Sequence, residues 1–503
     1  MTNDRSSRQK GNLGGRFTDA RIPAKVTITL SDESARIPCA QHLTWMLVNL
    51  LARQSFAVNR IIFNIPAGVP VLVRLSPLIS VDNDFVNALH EGLSLINPMV
   101  VSDNNQDSRT SISIRVGTGP VIPADFSIAT SADGWSGYVG QRCTDQIGES
   151  SNPIGAYIAA ALSAGEVFKF ARGMLETSGS YAECLWLNGY KFCLSDSAIK
   201  TPELPTEAYL EPTTIAGVGA VANGFLHTLY AIPQLRGALT LIDDDKAGIT
   251  RDNLERYVFF GLPHVARFHR KASTAAAIFD STQLNVSSAD SSWQEWYAIN
   301  SQSALGIVIS AVDKNSARHA IQDALPQLIL GGATNDMRAQ INYYDVAAGS
   351  ACLKCRNPVE QGVPDDVIIS KLQLMSSEEL SAEAARMRIE IDSLEEFLRD
   401  PRANCGKIGG ATLQKFAGVA EEPAWSVGFV SSLCGVLLAA EYLKSVIQGL
   451  DLALGVERSV FRFQFWRPID ERINTIVEFP AEATCICQTN AFRHALEPQP
   501  VLG

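Results

Sequence analysis

Apolar runs and amphipathic segments alternate along the second half of the chain. The runs ALTLID (238–243) and LGIVISAV (305–312) fit buried strands, whereas STAAAIF (273–279) and NSARHAIQDAL (315–325) have the pattern of helices. Strands that alternate with helices predict a parallel, doubly wound sheet, because parallel strands need long crossover connections. We therefore expect an α/β fold here.

The first half has a similar but less complete pattern. A helical pattern covers 43–54, and strand-like runs lie at 58–66, 111–119 and 125–130. No glycine turn joins a strand to a helix in this half, and no strand ends in aspartates. The pattern predicts a second α/β unit without a nucleotide site. The Pro- and Thr-rich stretch 201–213 predicts a linker between the two units.

Two uncharged helical patterns, 152–165 and 424–440, are nearly apolar and rich in Gly, Ala and Ser. Both are short for a membrane span, so we interpret them as buried helices. Each is followed by a glutamate, two apolar residues and a lysine, at 166–169 and 441–444. The shared pattern indicates that the chain contains two related halves.

A glycine turn in TIAGVGAVANGFLHTLY is the first candidate for chemistry. Gly217 allows a tight turn, Gly219 lets a phosphate approach the backbone, and Ala222 allows close helix packing. Phosphate would lie at the helix N-terminus, where free N–H groups favour an anion. The next strand ends at Asp243, at the spacing expected for a ribose ligand. An NAD(P) oxidoreductase fits these four residues equally well.

More polar residues follow than a redox dinucleotide needs. In chain order they are Asp243, Asp245, Asn253, Arg256, Lys271, Asp313 and Arg318. Carboxylates together with Lys and Arg around a phosphate turn suit Mg²⁺-assisted attack on ATP, because the metal takes oxygen ligands and the cations hold the phosphates. The sequence therefore favours ATP over a dinucleotide.

The order GVGAVA, LIDDD, NLERY, KASTAA, VISAVDKNSAR resembles the ThiF/MoeB and ubiquitin-activating family of adenylating enzymes, over residues 213–450. LILGGATNDMRAQI (328–341) also resembles a strand of that family. NPIGAYIAAALSAGEVFK is similar to activating proteins of bacterial ubiquitin-like conjugation operons linked to phage defence. The resemblance implies two tandem Rossmann-like adenylation domains. The N-terminal one would be degenerate and the C-terminal one active, with a helical crossover insertion that carries a catalytic cysteine.

The resemblance also implies a role for each residue. Asp243 would hold the ribose, Arg256 and Lys271 the phosphates, and Asp313 the Mg²⁺, while Asn253 would line the phosphate region. Compared with the family pattern, this sequence has two extra residues between the aspartates and Asn253, and two more between Arg256 and Lys271. His264 is therefore an alternative to Lys271. Family members often receive an arginine from a partner domain, for which Arg16 and Arg21 are candidates.

The ten cysteines are scattered and fit thiols or a metal site better than disulfides. Cys352, Cys355, Cys485 and Cys487 form two close pairs that suit tetrahedral Zn²⁺, and the resemblance places a zinc site there. Cys405, in a glycine-rich segment, is the candidate for the thioester nucleophile. We expect Cys434, Cys184 and Cys193 to be core residues.

These patterns divide the chain into five parts. They are a flexible arm (1–20), an inactive adenylation-like domain (21–205), an active adenylation domain (206–355), a crossover insertion with the catalytic cysteine (356–423), and the end of the adenylation domain with the zinc site (424–503). The insertion begins its helix SSEELSAEAARMRIEIDSLEEFLRD with a capping box of Ser376 and Glu379.

Composition limits the partners. The 53 acidic and 42 basic residues give a net charge of −11, and no basic block stands out. Nucleic acid is therefore excluded as the main partner. The polar N-terminus lacks the apolar segment of a signal peptide, so we expect a cytoplasmic protein without membrane contact. The family resemblance implies a homodimer.

The function that these observations predict is ATP-dependent activation of a ubiquitin-like protein that ends in glycine. Mg-ATP would adenylate that glycine, Cys405 would take the acyl group as a thioester, and a conjugating enzyme would receive it. A sulfur-carrier adenylyltransferase of the MoeB or ThiF type is one alternative. A non-catalytic scaffold with a relict nucleotide fold is another.

Overall fold

A computed structural model describes the fold. It describes residues 23–54, 56–79, 84–103, 110–142, 147–173, 180–265, 269–301, 305–358, 362–387, 389–399, 408, 410–418, 427–468 and 471–496.

The first half forms an eight-stranded mixed sheet with helices against it. Its strands are β1 Ala24–Thr29, β2 Val58–Asn64, β3 Val101–Asp103, β4 Thr110–Val116, β5 Ala124–Asp133, β6 Ser136–Gly140, β7 Leu185–Asn188 and β8 Cys193–Ser195. Its helices are α1 Asp32–Ala35, α2 Pro38–Ala52, α3 Phe85–Ile96 and α4 Pro153–Arg172.

The second half forms another eight-stranded mixed sheet. Its strands are β9 Ala208–Ala216, β10 Leu235–Ile242, β11 Leu284–Ala289, β12 Ile307–Ser310, β13 Leu328–Asn335, β14 Arg338–Tyr344, β15 Val460–Gln464 and β16 Thr475–Val477. The helices of this half are α5 Ala220–Tyr230, α6 Lys271–Phe279, α7 Trp293–Asn300, α8 Asn315–Asp323, α9 Leu353–Arg356, α10 Asp365–Gln373, α11 Ser377–Met387, α12 Ile391–Arg399, α13 Gly410–Phe416, α14 Gly428–Val446 and α15 Asn490–Leu496.

The two sheets have the same strand order and the same strand directions. The orders are β3-β2-β1-β4-β5-β6-β7-β8 and β11-β10-β9-β12-β13-β14-β15-β16. In each sheet the first five strands of this order are parallel and the last three run antiparallel to their neighbours. The predicted α/β class is confirmed, with antiparallel strands added at one end of each sheet.

Helices α4 and α14 contact each other between the two halves. Both are long and apolar enough to cross a membrane, but 94% and 89% of their most apolar windows lie inside the protein. Close approach to the second half requires a small residue at Gly165, because a Cβ there would lie 2.6 Å from the Phe465 ring. These helices form the core of the described fold, as the sequence predicts.

A buried ion pair lies on each of these two helices. Lys169 Nζ is 2.7 Å from Glu166, and Lys444 Nζ is 2.6 Å from Glu441. Each lysine also donates to a backbone carbonyl of the other half, Phe465 O at 3.1 Å and Tyr190 O at 2.7 Å. Burial lowers the pKa of both lysines, but the partner carboxylates and carbonyls satisfy their N–H groups. The repeated Glu-x-x-Lys pattern is thus a reciprocal contact between the halves.

Two sequence predictions about local structure are wrong. The stretch 201–213 is not all linker, because β9 begins at Ala208. The capping box of Ser376 and Glu379 forms, but its helix breaks after Met387, where the Ile389 N–H bonds back to Ala384 O at 2.9 Å. The break lets α11 and α12 cover one small core that includes Leu380, Leu394 and Phe397.

The cysteine predictions are also partly wrong. Cys434 is buried, as expected, but Cys184 is exposed and Cys193 is only half-buried. Both of the latter lie among the last strands of the first sheet, since Cys184 precedes β7 and Cys193 begins the edge strand β8. An edge strand such as β8 has a neighbouring strand on one side only, which fits the half-buried state of Cys193.

Candidate functional site

A cavity of about 620 Å³ lies at the carboxyl ends of the parallel strands β9, β10 and β12. This volume is in the usual range of small-molecule sites, and ligands of open parallel sheets bind at this edge. The predicted residues that line it are Gly217, Gly219, Asp243, Asp245, Asn253, Arg256, Lys271, Asp313 and Arg318. The fold thus brings together residues that span about a hundred positions of sequence.

The glycine turn between β9 and α5 leaves its backbone open to the cavity. Gly217 has φ +85°, and a Cβ there would lie 2.9 Å from Ala311 O, so only glycine fits. At Gly219 an added Cβ would meet nothing within 4 Å. Gly219 is the N-cap of α5 and provides no side-chain hydrogen bond, so the first N–H groups of the helix are available to an anion.

A buried network joins the glycine turn to the strand end. Asp243 accepts from Val218 N at 2.7 Å and from Asp245 N at 3.0 Å. Lys271 Nζ lies 4.0 Å from Asp243 and forms an ion pair with Asp245. Burial works against the charge on Lys271, but Tyr257 and the two aspartates outweigh it and raise its pKa. Lys271 is therefore a fixed cation inside the cavity.

Two further charged residues in the cavity lack partners in the described part of the chain. Neither the Arg256 guanidinium nor the exposed Asp313 carboxylate has a hydrogen bond or ion pair there. Arg318 differs, since it donates to Asn315 at 2.6 Å and to Val312 O at 3.0 Å. Arg256 and Asp313 are thus available to a ligand, whereas Arg318 shapes the wall.

Some predicted residues lie elsewhere. Ala222 is fully buried on α5 behind the turn, which fits its predicted packing role. His264 does not line the cavity, because its Nδ1 accepts from Gly261 N at 3.2 Å within its own turn. Lys271 therefore occupies the cavity in its place. Arg16, Arg21 and Cys405 lie outside the described residues.

One wall residue, Trp293, is not among the predicted site residues. It begins α7 directly after β11 and is 5% exposed, with its indole N–H donating to Ala320 O at 3.1 Å. The signal was present in SSWQEW, since Ser292 and Glu295 form a capping box at this strand end. A flat aromatic wall of this kind suits contact with a planar base.

The first half contributes a side chain that supports the cavity from outside. Arg53, at the end of α2, donates to Leu254 O and, at 2.7 Å, to Phe260 O. Neighbouring Asn49 donates to Val258 O at 2.9 Å. These bonds fix the segment 254–260, which carries Arg256. The first half therefore positions a cation of the second half.

Arg53→Ala is expected to loosen the segment 254–260 and to speed its amide hydrogen exchange about fivefold or more. A buried hydrogen bond to a charged group contributes about 1.5–3 kcal/mol, and the substitution removes part of this stabilisation from the segment. Amide hydrogen exchange of residues 254–260 would be followed by mass spectrometry. Arg36→Ala, which removes an exposed arginine of the same half, is the control. Unchanged exchange in the segment would contradict the positioning role.

Four cysteines form a second site beside β14. Cys352 Sγ lies 3.8 Å from Cys355 Sγ and 3.6 Å from Cys485 Sγ, and Cys355 Sγ lies 3.5 Å from Cys487 Sγ. All four sulfurs lie within 4.8 Å of one another. Tetrahedral zinc with bonds of about 2.3 Å separates its sulfurs by roughly 3.8 Å. The cluster could hold a metal ion such as Zn²⁺.

Backbone and side-chain donors surround this cluster. Glu482 N donates to Cys355 Sγ at 3.5 Å, and the Gln488 side chain donates to Cys487 Sγ at 3.3 Å. The hydrogen bond from the Cys352 thiol and, to a smaller extent, the Glu482 N–H lower the pKa of Cys355. Thiolates are the form that binds metal, and such outer hydrogen bonds are typical of thiolate sites.

The fold and these two sites define a Rossmann-like α/β protein with a nucleotide-sized cavity and a possible Cys₄ metal site. Residues 25–187 match the family model described as the BilD N-terminal domain. The chain is also 25% identical to the uncharacterized protein y4jF of Sinorhizobium fredii (strain NBRC 101917 / NGR234) over 506 residues. This alignment covers 95% of the chain and 92% of y4jF. The second similarity therefore extends through both sheets.

Proposed function

We propose that this protein is an ATP-dependent activating enzyme for a ubiquitin-like carrier protein. The observation that carries the proposal is the cavity in which Lys271, paired with Asp243 and Asp245, lies beside the open glycine turn. Arg256 and Asp313, which have no side-chain partner among the described residues, share that cavity. A phosphate chain and its cation would find donors, cations and carboxylates there.

We propose further that the two halves are tandem adenylation-like domains and that the first is degenerate. Since the strand registers match, each site position of the second half has an equivalent in the first. Leu30, Ile65 and Thr118 stand at the positions of Gly217, Asp243 and Asp313. Apolar Leu30 and Ile65 thus replace the glycine and the first aspartate of the second half, and Thr118, which bonds Ser31 and Ser34, replaces the carboxylate of Asp313.

The proposed reaction begins at the carrier's terminal carboxylate. A carboxylate oxygen attacks the α-phosphorus of ATP, the bond to the β,γ-phosphates breaks, and pyrophosphate leaves. Arg256 and Lys271 would stabilise the negative charge, and Asn253 lines the same region. Asp313 would hold Mg²⁺, which neutralises phosphate charge when bound.

In the second step the Cys405 thiolate attacks the carbonyl carbon of the acyl-adenylate. The bond to the phosphate oxygen breaks, AMP leaves, and the carrier remains as a thioester. A conjugating enzyme would then accept the acyl group on its own thiol. The family resemblance implies that two adenylation domains pair, and the tandem halves would provide such a pair within one chain. A homodimer of the whole chain is a separate expectation.

Carrier-dependent ATP–pyrophosphate exchange tests this function. The purified chain would be incubated with each small glycine-terminated protein encoded beside its gene, and we expect exchange with one of them. Cys405→Ala should retain exchange but lose the thiol-sensitive carrier adduct, whereas exposed Cys184→Ala should retain both.

The outcomes separate the alternatives. Exchange without any thioester adduct on the unaltered chain would favour a sulfur-carrier adenylyltransferase. An adduct that survives in Cys405→Ala would mean that another cysteine is the nucleophile. Exchange with none of the carriers would refute both adenylation functions and leave a non-catalytic binding protein.

A further inference from the structure

A groove of about 930 Å³ lies on the antiparallel end of the second sheet, over β13–β16. Four arginines line it, and we call them the arginine face: Arg338, Arg462, Arg467 and Arg472. All four are exposed. In a chain of net charge −11, this concentration of positive charge is unusual. Of the described residues that line the groove, Asp336 alone is acidic.

The strand register explains why these side chains share one face. Arg338 pairs with Gln464 and Arg462 pairs with Gln340 across β14 and β15, and directly paired residues point to the same side of a sheet. The alternate residues, including Ile341, are buried on the side of α14. Within the described ranges, no carboxylate lies at ion-pair distance from Arg338, Arg462 or Arg467. Arg462 lies over the Phe479 ring, 4.7 Å from its centroid, whereas Arg338 and Arg467 have no charged partner in those ranges.

The first sheet provides an internal comparison. By the matched registers, Ser136 stands at the position of Arg338, and Trp186 at that of Arg462. A sheet of this topology therefore forms without arginine at these positions. Lys191 corresponds to Arg467, since each donates its backbone N–H to the side chain three residues before it. Arg338 and Arg462 have no basic counterpart at the matched positions of the first half, which points to a role in binding.

The arginine face and the nucleotide-sized cavity both adjoin a third cavity, which we call the passage. This smaller cavity of about 300 Å³ shares Arg318 and Gly332 with the nucleotide-sized cavity, and Gln340 and Arg462 with the groove. Gly331 lines this passage, and a Cβ there would reach to 3.4 Å from the Tyr344 ring. The glycine leaves the passage wider than any other residue would.

We propose that the arginine face docks an acidic surface of the carrier protein, next to the root of its carboxyl-terminal tail. The tail would run through the passage along Gly331 to the nucleotide-sized cavity. This inference rests on the proposed function for the identity of the partner, but the charge preference of the groove does not. Glutamates and aspartates at the tail root would pair with Arg338, Arg462 and Arg467.

A charge-swap experiment on the full chain tests the docking. The probes are two fluorescent peptides with a free carboxyl-terminal Gly-Gly, one glutamate-rich and one with lysines in place of the glutamates. Anisotropy should show that the glutamate peptide binds more tightly, and increasingly so as salt is lowered. Arg338→Glu with Arg467→Glu should weaken its binding about fivefold or more and strengthen that of the lysine peptide. Arg142→Glu, an exposed site on the first sheet, is the matched control.

Each outcome decides a separate point. Equal binding of both peptides, or an equal loss in Arg142→Glu, would overturn the acidic docking surface. Circular dichroism and ATP binding would show that the double variant remains folded. If the charge swap holds but no carrier supports pyrophosphate exchange, the surface stands and the proposed function fails. Gly331→Val should stop carrier-dependent exchange while the glutamate peptide still binds, and retained exchange would refute the passage.

Discussion

Lys271→Ala is expected to lower carrier-dependent ATP–pyrophosphate exchange about 100-fold or more. Removing one preorganised charged group from a phosphoryl or acyl transfer site typically has an effect of this size. Lys271 is 8% exposed and pairs with Asp243 and Asp245, so no solvent cation replaces it fully. Initial exchange rates at saturating carrier and varied ATP would show whether binding or the chemical step is affected.

The same substitution also leaves two carboxylates close together without their cation. We expect a loss of stability of about 1–3 kcal/mol, because uncompensated buried charge is costly. Thermal unfolding must therefore be measured alongside, and exchange compared well below the melting temperature. Lys200→Ala removes an exposed lysine and should leave both quantities unchanged. Exchange within threefold of the unaltered chain would remove Lys271 from the proposed mechanism.

The positions of the cavity residues could be predicted because they follow strand ends. Gly217 and Gly219 follow β9, Asp243 and Asp245 follow β10, and Asp313 follows β12. Carboxyl ends of parallel strands meet at one edge, so a correct strand prediction also places these side chains. The extra residues near Asn253 and Lys271 do not move the strand ends, since they only lengthen the loop between β10 and α6.

Contacts between distant segments could not be predicted. Arg53 reaches Leu254 and Phe260, about two hundred positions away, and no local pattern marks that pairing. No glycine or proline marks the break after Met387. The helix divides there because Leu380 packs into a small core that both helices share. Propensity is overridden by tertiary packing at such places.

The arginine face shows a signal that was present but ambiguous. In RAQINYY the polar residues Arg338, Gln340 and Asn342 alternate with apolar ones, which predicts a half-exposed strand. The sequence alone could not show that Arg462, more than a hundred positions later, lies beside Gln340. A scattered set of arginines therefore becomes a surface only once the sheet is formed, which is why the composition showed no basic block.

Cys487→Ser is expected to remove the metal and to lower the melting temperature by roughly 5 °C or more. Cys485 and Cys487 lie beyond β16, and the sulfur cluster joins this segment to Cys352 and Cys355 beside β14. Without a bound ion, four neighbouring thiols would have to remain protonated or separate. The expected consequence is release of the segment around 481–492 from its small core.

Zinc content by mass spectrometry and thermal unfolding would be measured on the same samples. The unaltered chain should hold one equivalent, since four sulfurs complete a tetrahedral shell and leave no position for a substrate. Exposed Cys184→Ser should keep the metal and the melting temperature. A chelator should reproduce the effect of Cys487→Ser on the unaltered chain and add nothing to that variant. Full zinc content in Cys487→Ser would place the metal elsewhere, whereas metal loss without a change in stability would mean that the segment is held by its apolar contacts alone.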